Sequence, residues 1–246
     1  MRLLDPQYSC RFKFNTWKNH LRSRIKYDAP SAPYKTIYIR PTILDGRLRY
    51  KKNGDKIIPK RRRKGLGRIR GGNWDQNRKH IEDTEDKLGI IIRGLYERFS
   101  EEKEWEETVY YTFLKKLYET KYRSKYQYKS FESYIEVRLK TYDNLYRDIC
   151  NNGYKKNHKG RTIRPGTQWN SHLEVLVSID RHGQINLFDG HHRFAIARVL
   201  DLEIPAHVIC RHKKWQEIRD DIYNNGLPKN REDLRDHPDL QDIINE

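Results

Sequence analysis

The run Asp189-Gly190-His191-His192-Arg193 concentrates more chemistry than any other stretch of the chain. It stands between an apolar strand end, Leu187-Phe188, and an apolar segment, Phe194-Ala195-Ile196-Ala197. A strand that turns through glycine into a helix aims free backbone N–H groups and the positive end of a helix dipole at one point. Gly190 lets a ligand approach the backbone closely, two imidazoles add ring nitrogens, and Arg193 offers a planar fork to paired oxygens. Together Gly190, His191, His192 and Arg193 describe an anion site suited to phosphate. Asp189 has two readings: its carboxylate caps the helix, or it holds a divalent cation such as Mg²⁺ shared with phosphates. A plainer account makes Asp-Gly a turn and the histidines helix-surface residues. That account leaves His-His-Arg in succession before a buried helix unexplained. Adjacent residues point to different sides of a helix, so zinc chelation by the histidine pair is not expected.

A second group of residues has chemistry through charge alone. Lys60-Arg61-Arg62-Arg63-Lys64 is followed by Arg68 and Arg70 within a glycine-rich stretch. This reads as a phosphate-backbone clamp for DNA or RNA spanning residues 47–70, or else as a solvated loop or a contact for an acidic protein. No Gly-Lys-Ser/Thr follows, which excludes a P-loop there. The net charge of +17 is confined to this end of the chain. Residues 1–70 hold 21 Lys/Arg against 4 Asp/Glu, whereas the remainder holds 30 of each. A basic arm or subdomain attached to a neutral body is the expectation. Glu104, Glu106 and Glu107 fall in the first turn of a helical pattern, where the dipole favours acids, and read as a solvated helix start.

The elements that position these residues follow from periodicity and turn residues. Residues 1–40 read as an irregular basic segment holding one strand, Lys35–Arg40. Gly71–Asp75 reads as a tight turn anchored by Trp74, and residues 88–120 as helical, with Trp105, Val109, Phe113 and Leu117 on the buried face. A linker at 121–135 leads to a helix at Tyr134–Cys150, ended by Asn151-Asn152-Gly153. A polar loop at 154–170 precedes the sharpest pattern in the chain. Leu173, Val175, Val177 and Ile179 alternate with Glu174 and Ser178 as a strand, Asp180–Gly183 turns, and Gln184–Phe188 returns as a hairpin. A buried helix at 194–200 follows, then a strand at Ile204–Cys210, where Pro205 suits an edge or first position. Trp215, Ile218 and Ile222 share a face of the last helix, and Asp236–Asp239 makes a turn. Aromatic residues at 12% of the chain argue for folded structure.

The order strand–hairpin–Asp-Gly-His-His-Arg–apolar helix–Leu-Asp-Leu-Glu-Ile-Pro-Ala-His-Val resembles the ParB/sulfiredoxin-like superfamily over about residues 134–212. The resemblance implies an α+β fold. A ParB/sulfiredoxin-like core, a small mixed sheet with helices, would occupy residues 126–246. It would be preceded by a basic N-terminal arm or subdomain (1–75) and a helical region (76–125). It implies a nucleotide cofactor (ATP, ADP or CTP) with Mg²⁺, held through phosphates at the turn. ParB partition proteins have Gly-Glu-Arg-Arg where this chain has Gly190-His191-His192-Arg193. Sulfiredoxins have a catalytic cysteine in the turn, and none stands between Asp189 and Arg193. The Asp-Gly-His-His-Arg wording looks most like the free-serine kinases of this fold, in which a separate glutamate serves as base. Glu174, on the strand before the hairpin, is the candidate for that role, and a solvent-facing strand residue is the alternative reading. The resemblance therefore implies an ATP/ADP-dependent phosphotransferase or nucleotide hydrolase in which Asp189 and Glu174 are catalytic. The other reading it allows is a ParB-like DNA-binding protein with a regulatory nucleotide switch and the basic segment as clamp.

Cys10, Cys150 and Cys210 are odd in number and form no CxxC pair, which suits reduced thiols in a cytoplasmic location. The start, Met-Arg-Leu-Leu-Asp-Pro, has no signal-peptide core. No apolar run approaches the roughly 20 residues that cross a bilayer, so no membrane partner is expected.

Overall fold

The computed structural model describes residues 6–48, 65–76, 78–83, 86–122, 130–155 and 173–244. In chain order these form α1 (Pro6–Lys26), β1 (Thr36–Ile39), β2 (Gly46–Leu48), β3 (Arg68–Arg70) and β4 (Arg78–His80). Next come α2 (Lys87–Phe99), α3 (Val109–Leu117) and α4 (Phe131–Asn152). The C-terminal part holds β5 (Val175–Ile179), β6 (Ile185–Asp189), α5 (His191–Val199), β7 (Ile204–His212), α6 (Lys213–Asn225) and α7 (Gln241–Ile244). The class is α+β.

One mixed sheet runs in the order β1-β7-β5-β6-β2-β4, with β3 also paired to β7. β5 and β6 make the expected antiparallel hairpin, Val177 opposite Leu187 and Ile179 opposite Ile185. Its turn is set by Asp180, whose Oδ1 accepts from the N–H groups of His182 and Gln184 at 2.9 Å each. β7 lies parallel to β5 on one side. It takes β1 antiparallel over Ile204–His207 and β3 parallel over Cys210–His212. β7 is central in the sheet, but at Pro205 its paired neighbour is β1 and the pairing with β5 begins at Ala206, so the proline falls where the strand is paired on one side, as an edge position would be. The sheet also crosses residue 75: β1, β2 and β3 come from before it and β4 from after it.

Both faces of the sheet are covered. On one face Val175, Val177, Ile179, Leu187, Ala206 and Val208 pack with residues of α2 to α5. On the other, Leu176, Phe188, Ile209 and Cys210 pack with Phe12 of α1, Leu66 and Trp74. This corrects the alternating reading of β5: all five of its residues are buried, because a central strand is covered on two sides. Glu174, just before β5, is only 5% exposed, so it is not a solvent-facing residue.

The N-terminal helix is the largest departure from the sequence reading. Its inward face consists of Phe12, Thr16, Asn19 and Ser23, one apolar residue and three polar ones, so no apolar stripe announces it on that side. The polar residues instead make hydrogen bonds. Thr16 Oγ1 accepts from Leu66 N (3.1 Å), Asn19 Nδ2 donates to Leu66 O (2.8 Å), and Ser23 Oγ donates to Asn19 O (2.9 Å). The helical region is broken after Phe99, and the buried stripe beyond the break is Trp105, Tyr110, Leu114 and Tyr118, with Val109 exposed. A turn of 3₁₀ helix at Trp105–Glu107, closed by a Glu104–Glu107 capping box, shifts the register by one residue. α2 and α3 approach so closely that a Cβ on Gly94 would lie 2.2 Å from Tyr110 Cβ. α4 begins three residues earlier than its apolar pattern, at a Ser130–Ser133 capping box, and ends at Gly153 with φ 68°. No helix among the described residues is long and apolar enough to cross a membrane, and all three cysteines are free thiols.

Candidate functional site

Gly190 has φ 92° and ψ 26°, a left-handed conformation that sends the chain from β6 straight into α5 at His191. A Cβ there would meet Val175 Cα at 3.1 Å, so the turn is pressed against the start of β5. The helix begins three residues earlier than the apolar run alone marks, and His191, His192 and Arg193 form its first turn. The Asp189 carboxylate accepts from Gly190 N at 2.8 Å, and His191 Nδ1 lies 3.9 Å from the same oxygen. Gly190 is the N-cap position, and the Asp189 carboxylate, one residue before it, takes up its N–H at the entry to the helix.

Arg193 turns inward beneath this helix end. Its Nη1 donates to Glu174 Oε2 (3.2 Å) and to the Tyr154 hydroxyl (3.3 Å), and its Nη2 donates to Leu173 O (2.9 Å). Tyr154 OH itself donates to Glu174 Oε2 at 3.1 Å. The Arg193 side chain is 16% exposed, so guanidinium, carboxylate and phenol form a compact polar triangle at the mouth of β5 and α5. Burial pushes the Tyr154 phenol well above its ordinary range, with Arg193 opposing and Glu174 adding to the rise. It stays a hydroxyl donor at any physiological pH.

His192 points to the other side, into α3 and α4. Its ring stacks on Tyr142 with centroids 4.6 Å apart, and Nε2 lies 2.7 Å from Tyr142 OH and 3.4 Å from Tyr110 OH. Arg138 Nε donates to the same Tyr110 hydroxyl at 3.3 Å. Arg138 Nη2 is buried with no hydrogen-bond partner among the described residues. Burial disfavours the Arg138 cation, but the oxygens of Tyr142, Tyr110 and Tyr134 outweigh that and its pKa is raised. Burial, and next the neighbouring Tyr142, raise Tyr110 well above the usual phenol range.

The structure thus brings Glu174, Asp189, Gly190, His191, His192 and Arg193 to one end of α5. Tyr154, Tyr110, Tyr142 and Arg138 were missed as members of this neighbourhood. Tyr142 sits one turn on from Arg138 along α4, and only the packing of α4 and α3 against α5 reveals that both face His192. The nucleic-acid candidates lie elsewhere. Lys60, Arg61, Arg62, Arg63 and Lys64 are outside the described residues, as is most of the 154–170 loop. Arg68 and Arg70 are on β3, separated from β6 by β7 and β5. Arg68 is 9% exposed, which leaves little of it to meet a phosphate backbone.

Among the described residues no group of three or more His, Cys, Asp or Glu side chains converges to hold a metal. A single carboxylate, Asp189, fits Mg²⁺ only in the form in which the ion keeps waters and shares phosphate oxygens. No protein-family model, curated protein or solved structure matches the chain.

Proposed function

We propose that the chain binds a nucleotide through its phosphates at the start of α5 and acts as an ATP- or ADP-dependent phosphotransferase or nucleotide hydrolase. The observation that carries this reading is the Arg193–Glu174 pair, a guanidinium and a carboxylate side by side at the amino end of a buried helix. Helix dipole, Gly190 backbone and Arg193 all favour an anion at that point. A phosphate arriving there competes with Glu174 for Arg193. Exchange of that partner leaves the carboxylate within reach of a bound acceptor hydroxyl, where it serves as general base. Asp189 would hold Mg²⁺ together with the phosphates, and the ion would supply charge neutralisation. His191, beside Asp189, adds a ring nitrogen at the same edge.

Calorimetric titration of ATP, ADP and CTP into the wild type and Arg193→Ala tests the phosphate role. Binding of at least one nucleotide, weakened about tenfold or more by loss of the charge-assisted bonds, is the expected result. Equal affinity in both proteins removes Arg193 from phosphate binding. A Glu174→Gln protein that binds nucleotide but no longer releases or transfers phosphate would support the base role.

A second reading, DNA or RNA binding through residues 47–70 with the nucleotide as regulatory ligand, is favoured by the confinement of the whole charge excess to residues 1–70. It predicts an affinity that falls steeply with salt and is lost on neutralising Lys60–Lys64.

A further inference from the structure

α1 is apolar on the side that faces away from the protein. Phe14, Trp17, Leu21 and Ile25 are spaced three, four and four residues apart, each about one turn beyond the last. They are 66%, 52%, 56% and 84% exposed. The helix cannot roll to bury them, because its opposite side is pinned by Phe12 and by the bonds of Thr16 and Asn19 to Leu66. Along both shoulders of this ridge run exposed cations, Arg11, Lys18 and Arg22 on one side and Lys13 and Arg24 on the other. Lys18 Nζ stands 6.0 Å above the Phe14 ring. No Asp or Glu occurs anywhere in the helix.

Charge and shape select the occupant. A second copy of α1 would bring cations against cations with no acid to relieve them. Residues 49–64, with nine Lys/Arg and one Asp, offer charge of the same sign and no complement to these cations. Nucleic acid would be served by the cations and by Phe14 and Trp17, but Leu21 and Ile25 have no π-face for a base to stack on. A helix held against its own body exposes half a cylinder, which a plane meets along its whole length and a deep groove does not. We propose that α1 docks on an anionic lipid surface. Phe14, Trp17, Leu21 and Ile25 enter the boundary between headgroups and acyl chains, and the shoulder cations lie among lipid phosphates and carboxylates. The expectation of no membrane partner rested on the length of apolar runs, and so bears on spanning a bilayer, not on lying against one.

The test uses the full chain and vesicles of phosphatidylcholine with and without phosphatidylserine. Co-sedimentation with the anionic vesicles alone is expected. A polarity-sensitive dye on Cys10, one turn before Phe14, should shift to the blue there, in a Cys150→Ser background. Binding should weaken by about fivefold for each of Lys13, Lys18, Arg22 and Arg24 changed to Gln. It should vanish in Leu21→Glu/Ile25→Glu, which touches exposed positions only; an unchanged circular-dichroism melt verifies that this variant folds. The proposal is overturned if no vesicle binding is seen at low salt, or if the double variant binds as well as the wild type. It is equally overturned if the double variant instead loses oligonucleotide binding or self-association.

Discussion

At the residue scale, the Arg193–Glu174 pair sets up a stability prediction separate from any ligand. Arg193→Ala takes the guanidinium away from a carboxylate that is only 5% exposed. Breaking a buried pair from one side costs about 3 kcal/mol or more. Glu174→Gln added to Arg193→Ala should recover most of that loss, and urea unfolding of the single and double variants measures it. A second residue carries a pH dependence. His237 Nδ1 accepts from Asp239 N (3.1 Å), so the proton sits on Nε2 and is donated to Gly183 O (2.8 Å). Burial holds its pKa below the usual 6.5. A folded value below the unfolded one means that the stabilisation is complete above the unfolded pKa and is lost as pH falls below it. The melting temperature should therefore drop between about pH 7 and pH 5, and His237→Gln should flatten that slope. Asp239 answers lower on the scale. Burial raises its pKa, but Arg211 and Arg219 more than reverse this, so its contribution disappears only below about pH 4.

At the element scale, the turn into α5 is where sequence and structure agree most closely, and the reason is local. Asp180 and Gly183 dictate a hairpin, Gly190 a left-handed turn, and the apolar run after it a buried helix, so none of these needs a distant partner to be legible. Glu174 became informative only with Arg193 beside it, since alternation along β5 pointed it outward while burial on both faces holds it in. The Tyr110–Tyr142–His192–Arg138 cluster joins three helices, and nothing in any one of them marks it. α1 is hard to read for a related reason: its inward face is mostly hydroxyl and amide, and Thr16 and Asn19 find their partners at Leu66, far along the chain. The turn itself can be tested. Gly190→Ala forces a side chain into φ 92° and within 3.1 Å of Val175 Cα. Left-handed strain of about 1–2 kcal/mol plus the contact should lower the urea midpoint, and should also weaken any nucleotide affinity, since the first turn of α5 moves with it.

At the scale of the whole molecule, the question is whether the basic N-terminal part is an appendage or a layer. Charge alone argues for an appendage, because residues 1–70 carry the entire excess and the rest is neutral. Packing argues for a layer. Phe12 is 2% exposed and covers Leu66, Leu176, Phe188 and Ile209 on the second face of the sheet, and β1 closes the edge of β7. Two substitutions two residues apart on α1 separate these pictures. Phe12→Ala should cost about 3 kcal/mol, as for an aromatic side chain removed from a core. It should also increase binding of an apolar dye as the second face opens. Phe14→Ala, on the exposed ridge, should change stability by no more than about 0.5 kcal/mol. An appended helix would make both substitutions silent in urea unfolding of the sheet. A layer makes only the first one felt, because a sheet buried on both faces loses apolar contact when either cover is thinned.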